Sequence, residues 1–409
     1  MTNLRHEVVV TGYGVVTPLG VGIQEFQRRM FAGETGIVSI SGTKVASNFP
    51  VKVAALVPED APEDPTVSNS RRFAAIATEE ALQNLPAGNS VDAIVYAAAE
   101  GVDFDLIRDS FRSSDPRNFR WDATRSERCL DAVRHTVERH GNGSVSDETA
   151  ISIYNACVSS HQAIGMAFQR IRTGQWTRAV VGGVDARCNA ATLMDFHLLG
   201  ALSTDVGPDA SRPFSKSRKG FVLGEGAATL ILESREAANS RGAAVLGRVA
   251  GYSASSDAYR LTDGRPDALA AIWAMKHAIE DGGHDAADIN AVSAHGTSTQ
   301  LNDKLETIAI KQVFGERAYG VPVTSLKSQI GHTTVAAGAI QTVATLLMLE
   351  SSRLAPTINY TEPDPDCDLD YVPNASRVAK LNSMLTNSFG FGGQNSCLVL
   401  VANGERNLT

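Results

Sequence analysis

Apolar runs of strand length and amphipathic helical runs alternate along most of this chain, and that alternation restricts the fold more than any other feature. Val8-Val-Val-Thr-Gly-Tyr-Gly-Val-Val-Thr-Pro-Leu-Gly20 reads as a buried strand entering a glycine turn, with a short helix at 24–32. Residues 70–83 form an amphipathic helix, 93–97 a strand, and the charged stretch after 103 holds a second amphipathic helix near 126–140. Strand 150–154, helix 158–173 and strands 179–184 and 227–232 continue the pattern. A second series follows, with helices at 267–281, 303–314 and 336–351 and strands at 291–294, 321–325, 384–387 and 396–401. Such alternation implies an α/β fold in which helices cover buried sheets. A chain of 409 residues fills one large core or two ordinary ones. No Pro/Ser-rich linker divides it, and no repeat is evident in the sequence. Residues 242–251 are the best midpoint, giving two packed halves, 1–250 and 251–409.

Composition removes several functions. A net charge of −8 argues against a general nucleic-acid binder. Five cysteines are scattered with no metal-site spacing, so no metal is expected, and the compartment reads as reducing. The first residues run straight into a strand, so no signal peptide is visible. The longest apolar stretch, 335–349, contains Gln341 and two threonines and reads as too short and too polar for a membrane span. The expectation is a cytoplasmic protein.

Cys157 lies where a short strand stops and a helical pattern begins, in Ile151-Ser-Ile-Tyr-Asn-Ala-Cys-Val-Ser-Ser-His161. A helix N-terminus stabilises a thiolate, and a sharp strand-to-helix turn presents the sulfur beside backbone N–H groups able to hold an oxyanion. Buried free cysteine is otherwise a small hydrophobe, the reading taken for Cys129, Cys188, Cys367 and Cys397. His295 opens His-Gly-Thr-Ser-Thr299, and His332 ends Lys327-Ser-Gln-Ile-Gly-His332 ahead of an apolar helix. Two neutral imidazoles aimed at one point stabilise an enolate oxygen. Thr297 and Thr299 add hydroxyls to a candidate substrate surface, and His161, one helical turn from Cys157, is a candidate for lining it. Lys327 and Glu306 are read as a buried pair that positions the histidines. Asn387-Ser-Phe-Gly-Phe-Gly-Gly-Gln-Asn395 permits close backbone approach, with Phe389 and Phe391 as a movable gate or N–H source. Gly12-Tyr-Gly14 hints at dinucleotide binding, but the third glycine falls at 20 and no acidic residue follows at the right distance, so that reading is rejected.

Taken jointly, the 9–20 segment, Cys157 in its elbow, Phe221-Val-Leu-Gly-Glu-Gly226, the two histidine motifs and the 387–393 loop resemble elongating β-ketoacyl-acyl carrier protein synthases, the ketosynthases of fatty acid and polyketide assembly. The resemblance spans nearly the whole chain in the family's order. It implies a thiolase-like fold, a five-layered α/β/α/β/α sandwich of two similar halves, usually dimeric. It implies that Cys157 accepts an acyl chain from acyl carrier protein. Malonyl-carrier protein then loses CO₂ while His295 and His332 stabilise the enolate, and the carbanion attacks the Cys157 thioester in a decarboxylative Claisen condensation. The N–H groups of Cys157 and Phe391, with Phe389, Gly390 and Gly392 around them, would form the oxyanion hole and gate. No cofactor is implied. The partners implied are acyl carrier protein, its phosphopantetheine carrying acyl or malonyl groups, and a second subunit, identical or a chain-length factor.

Three departures from the family pattern mark a specialised member of a polyketide or polyene pathway: an atypical 101–150 segment, Val335 where a glycine is usual, and Ser215 and Lys219 at two acidic positions. Lys216 adds a cation, so that loop is either moved or part of a basic surface. The competing readings are a non-catalytic chain-length subunit, an acyltransferase or hydrolase using Cys157 without condensation, and a cysteine peptidase. The first lacks a reason for Cys157, the second for two histidines, and the third fits the glycine-flanked histidines poorly.

Overall fold

The computed structural model describes residues 6–58, 68–99 and 127–403; of the atypical 101–150 segment, 101–126 lie outside the described residues. Ten strands run side by side in one eleven-stranded mixed sheet, the eleventh being the two-residue Gly20–Val21. In chain order these ten are β1 Val8–Thr17, β2 Ala93–Ala99, β3 Ala150–Ile153, β4 Arg178–Asp185 and β5 Gly226–Ser234, then β6 Gly247–Ser256, β7 Ala291–Ser293, β8 Val323–Thr324, β9 Ser383–Gly390 and β10 Gln394–Val401. Their spatial order is β8-β7-β9-β10-β6 followed by β1-β5-β4-β2-β3. The continuous Val/Ile/Ala runs of β1, β2, β4 and β5 are buried almost throughout, as strands covered on both faces must be.

Six helices make the covering layers: α1 Asn69–Leu82, α2 Glu127–Arg139, α3 Ser159–Arg172, α4 Leu269–Asp281, α5 Gln300–Phe314 and α6 Ala337–Ser351. α1 is capped by Ser68, whose hydroxyl accepts the Arg71 N–H, and buries Phe73, Ala74, Ala77, Ala81 and Leu82 at helical spacing. α1 and α2 cover the outer face of one half, α4 and α5 that of the other, and α3 and α6 pack together between the two sets of strands. The result is the five-layered α/β/α/β/α arrangement.

The midpoint near 242–251 lies within the sheet: β6 begins at Gly247 and pairs antiparallel with β1 (Val8 with Val249, Val10 with Gly247), so the join is the middle of the sheet. One expectation is corrected, that of a segment too short and too polar for a membrane span. The apolar segment Thr334–Ser351 is, by length and composition, enough to cross a bilayer; it is 89% buried and is the central helix of the core. Gly12 and Gly14 are spacing glycines, because a Cβ on either would lie 2.2 Å from a carbonyl oxygen of α1, Ala81 or Ala77.

α3 and α6 meet at their N-termini. A Cβ on Gly338 would lie 2.7 Å from the His161 nitrogen, and the Ser160 hydroxyl accepts the Ala339 N–H at 3.0 Å. This crossing brings the residue before α3 and the turn before α6 to one point.

Candidate active site

Cys157 sits two residues ahead of α3, in a turn where Ala156 takes φ 47°. A left-handed alanine costs roughly 1–2 kcal/mol, so packing around the turn imposes the elbow. The Ser388 hydroxyl donates to the Cys157 carbonyl at 2.9 Å, and a Cβ on Gly390 would stand only 3.3 Å from the Cys157 nitrogen. The loop after β9 is thereby held against the elbow, and the Phe391 N–H reaches the cysteine sulfur.

His332 Nε2 lies 3.1 Å from Cys157 Sγ. The His295 ring stands 5.2 Å from the His332 ring, nearly perpendicular to it. Lys327 and Glu306, both buried, grip the His295 segment from two sides. The Lys327 ammonium donates to the His295 carbonyl at 2.5 Å and stands 3.4 Å from its Nδ1. The Glu306 carboxylate accepts the N–H groups of His295 and Gly296 at 2.8 Å each, and the Asn387 amide at 3.0 Å. A cationic donor on Nδ1 leaves the other ring nitrogen of His295 as an N–H facing the cavity.

Burial dominates every titration here. It pushes the Cys157 thiol up to about 11, against the pull of Lys327, Arg187 and the Phe391 N–H. The expected help from the helix end is outweighed, and the resting group is a thiol. Burial, with the Lys327 charge second, holds both His295 and His332 well below the usual imidazole range, so both are neutral. Burial also brings Lys327 down to about 8, with Glu306 opposing. Glu306 itself is pushed up by burial and held back by its N–H donors.

A cavity of about 360 Å³ opens above these groups; Cys157, His295, His332, Glu306, Thr297, Thr299, Phe389, Gly390 and Phe391 line it. Thr297 and Thr299 hydrogen-bond each other at 2.9 Å. Three residues of the sequence reading stand outside it. Lys327 is behind His295. The Gly392 N–H turns away to the Leu261 carbonyl. His161 is fully buried with both ring nitrogens engaged, by the Ser396 carbonyl and the Thr386 hydroxyl, and is held down to about 4. It is a packing residue between the central helices.

Two aromatics join the site, Phe196, which the sequence reading missed, and Phe221, which it quoted only within a motif. Phe221 stands edge-on to His332 at 5.2 Å, and Phe196 bridges it to Phe391, at 5.4 Å and 6.5 Å. Phe196 belongs to the helix Ala190–Leu198, capped by Asn189; that cap and the Leu193–Phe196 spacing were the available signal. At the departures, the Ser215 hydroxyl accepts the Glu362 N–H, while buried Arg218 pairs with Asp303 and Asp364. Lys216 and Lys219 are exposed but pair with Glu362 and Asp205, so the two cations add no unopposed basic surface.

A five-layered sandwich of two like-built halves, with a cysteine and two neutral histidines at the meeting of its central helices, defines a condensing enzyme of thiolase-like fold. The family models agree: "Beta-ketoacyl synthase, N-terminal domain" matches residues 149–238 and "Beta-ketoacyl synthase, C-terminal domain" matches 246–361. The chain is 34% identical to 3-oxoacyl-[acyl-carrier-protein] synthase 2 of Coxiella burnetii, covering 97% of this chain and 98% of that one. It is equally 34% identical to the tetracenomycin polyketide synthase ketoacyl synthase alpha subunit of Streptomyces glaucescens, over 97% of each. Among solved structures, a type II polyketide ketosynthase in complex with its acyl-carrier protein and bound to the hexaketide matches with TM-score 0.88 and 34% identity, over 97% of this chain and all of that one. The ishigamide ketosynthase/chain length factor matches at 0.85 and 30%, over 98% of this chain and all of that one. This chain belongs to the β-ketoacyl synthase family.

Proposed function

We propose that this chain is a β-ketoacyl-acyl carrier protein synthase that joins an acyl group held on Cys157 to malonyl-acyl carrier protein, releasing CO₂. The carrying observation is the 3.1 Å contact between the thiol and a neutral His332, with His295 beside it on one cavity wall. In the first half-reaction the buried thiol gives its proton through His332 as the sulfur attacks the acyl thioester. The carrier's pantetheine leaves as a thiol, so the exchange is balanced. In the second, the malonyl carboxylate departs as CO₂ and its electron pair becomes an enolate. His295, with its proton fixed on the cavity side by Lys327, donates to the enolate oxygen. His332 joins it once its ring proton has moved to Nε2, the nitrogen that an acylated sulfur no longer engages. The carbanion attacks the Cys157 thioester, and the N–H groups of Cys157 and Phe391 hold the tetrahedral oxyanion. Collapse expels the Cys157 sulfur, which takes up a proton, and frees the β-ketoacyl product. Thr297 and Thr299, which line the cavity, bind the pantetheine arm in this reading, and Phe391, backed by Phe196, swings between half-reactions.

The partners are acyl carrier protein and a second subunit. The sheet ends at β3, an edge open to strand pairing among the described residues, with Tyr154 exposed beyond it. Similarity to a ketosynthase/chain length factor supports either a like or a chain-length partner there. A cytoplasmic location is supported by five buried free cysteines. The halves 1–250 and 251–409 serve as one unit, the first bringing the nucleophile and the second the histidines.

The test is product mass on the carrier. Acyl-carrier and malonyl-carrier proteins incubated with the enzyme are expected to yield β-ketoacyl-carrier and one CO₂ per product. Carrier that returns with only exchanged acyl groups would replace condensation by simple acyl transfer.

A further inference from the structure

The turn that carries His332 is held from behind by a charged pair that the mechanism above does not use. Asp185 ends β4 fully buried, and Arg187 grips it with two nitrogens, at 3.0 and 2.8 Å. The Arg187 guanidinium also donates to the Thr334 hydroxyl at 3.0 Å. That hydroxyl donates in turn to Asp185, which accepts the Val335 N–H as well. Thr334 is itself left-handed, with φ 33°, at the one turn where the chain carries Val335 instead of the usual glycine. The strained turn is thus tied at two consecutive residues, Thr334 and Val335, beginning two positions after His332. The charges of the same pair also reach the cysteine, Arg187 favouring the thiolate and Asp185 opposing it.

We propose that Arg187 and Asp185 are positioning residues for the condensation, clamping the 334–336 turn so that His332 stays on Cys157. The proposal rests on the ketosynthase reading for its rate effect, and on the hydrogen bonds to Thr334 and Val335 for its hold on the turn. The charged or titratable groups facing Cys157 are His332 and Lys327, with Glu306 behind them, and Arg187 and Asp185, with the Tyr154 hydroxyl against Arg187.

The experiment compares Arg187→Ala, Arg187→Lys and Asp185→Asn in the full chain, reading both condensation kinetics and the pH profile of Cys157 alkylation. Loosening the His332 turn should lower kcat by tenfold to about a hundredfold in Arg187→Ala and Asp185→Asn with KM little changed, since small misplacements cost this much. Arg187→Lys should recover part of it. The alkylation profile should move to higher pH in Arg187→Ala, where a cation is lost. In Asp185→Asn, where an anion is lost, it should move to lower pH. Unchanged kcat in both variants, or a kcat loss accompanied by an equal rise in KM and a lowered unfolding temperature, overturns the proposal. If the wild type gives no condensation, the ketosynthase reading fails; the opposed alkylation shifts still decide whether the pair acts on the thiol.

Discussion

The two halves of this molecule repeat each other in topology and differ in what they contribute to the site. Short extra helices aside, each half's described residues run strand, helix, strand, helix, strand, central helix, strand, strand, and β3-β2-β4-β5-β1 has the same order and the same parallel and antiparallel pairings as β8-β7-β9-β10-β6. The likeness reaches single residues. A Cβ on Gly12 of β1 would meet the Ala81 carbonyl of α1 at 2.2 Å, and one on Gly251 of β6 would meet the Ala278 carbonyl of α4 at 2.1 Å. Yet the connection into the central helix is direct in the first half, putting Cys157 at its start, while the second inserts the short helix Lys327–Ile330 and the His332 turn. The lesson is a division of labour on one scaffold. The tight connection presents the thiol proposed as nucleophile; the longer one presents imidazole and ammonium groups.

That division is open to attack at several points. The largest effect is expected from Cys157→Ala, which removes acyl acceptance altogether; any covalent acyl adduct on this variant places the acceptor elsewhere. Next come His295→Ala and His332→Ala, each lowering condensation by about 10²–10⁴, as loss of a positioned proton donor does, while acylation of Cys157 by His295→Ala stays near wild type. Equal loss of acylation and condensation in His295→Ala would erase the proposed split between halves.

The pH dependence is smaller but sharper. Both histidines are neutral across the working range, so no limb is expected between pH 6 and 7 on the order of an ordinary imidazole titration. Lys327 is protonated below about 8 and loses its proton above it, so condensation should fall as pH rises through that value. Lys327→Met should be slow and flat over the same range. An acid limb near 6.5, the ordinary imidazole value, would mean that a histidine charges. The smallest effect concerns the scaffold. Gly338→Ala forces a methyl against the His161 backbone where the central helices cross, and should cost about 1–3 kcal/mol in stability, read by denaturant titration.

Much of this was legible in the chain. Strands such as β1 and β5 announce themselves because burial on both faces leaves no polar alternation, and α1 because its apolar spacing and Ser68 cap agree. Cys157, His295 and His332 were legible because each sits on a small-residue turn. What escaped was relational. The start of β6 is hard to see because it lies inside a glycine-containing stretch, and the repeat is carried by topology and packing glycines with no matching side-chain pattern. The spacing of His161 from Cys157 points to the site, but α3 turns it toward β9 and β10. The thiol's rise was hidden because burial is a property of the assembled core.

The most direct test of the shared site is intact-protein mass measured with acyl-carrier present, alongside β-ketoacyl product measured after malonyl-carrier is added, in wild type, Cys157→Ala and His295→Ala. The account predicts an acyl adduct on wild type and His295→Ala, none on Cys157→Ala, and β-ketoacyl product in quantity from wild type alone. Product from Cys157→Ala, or wild-type product yield from His295→Ala, would contradict it.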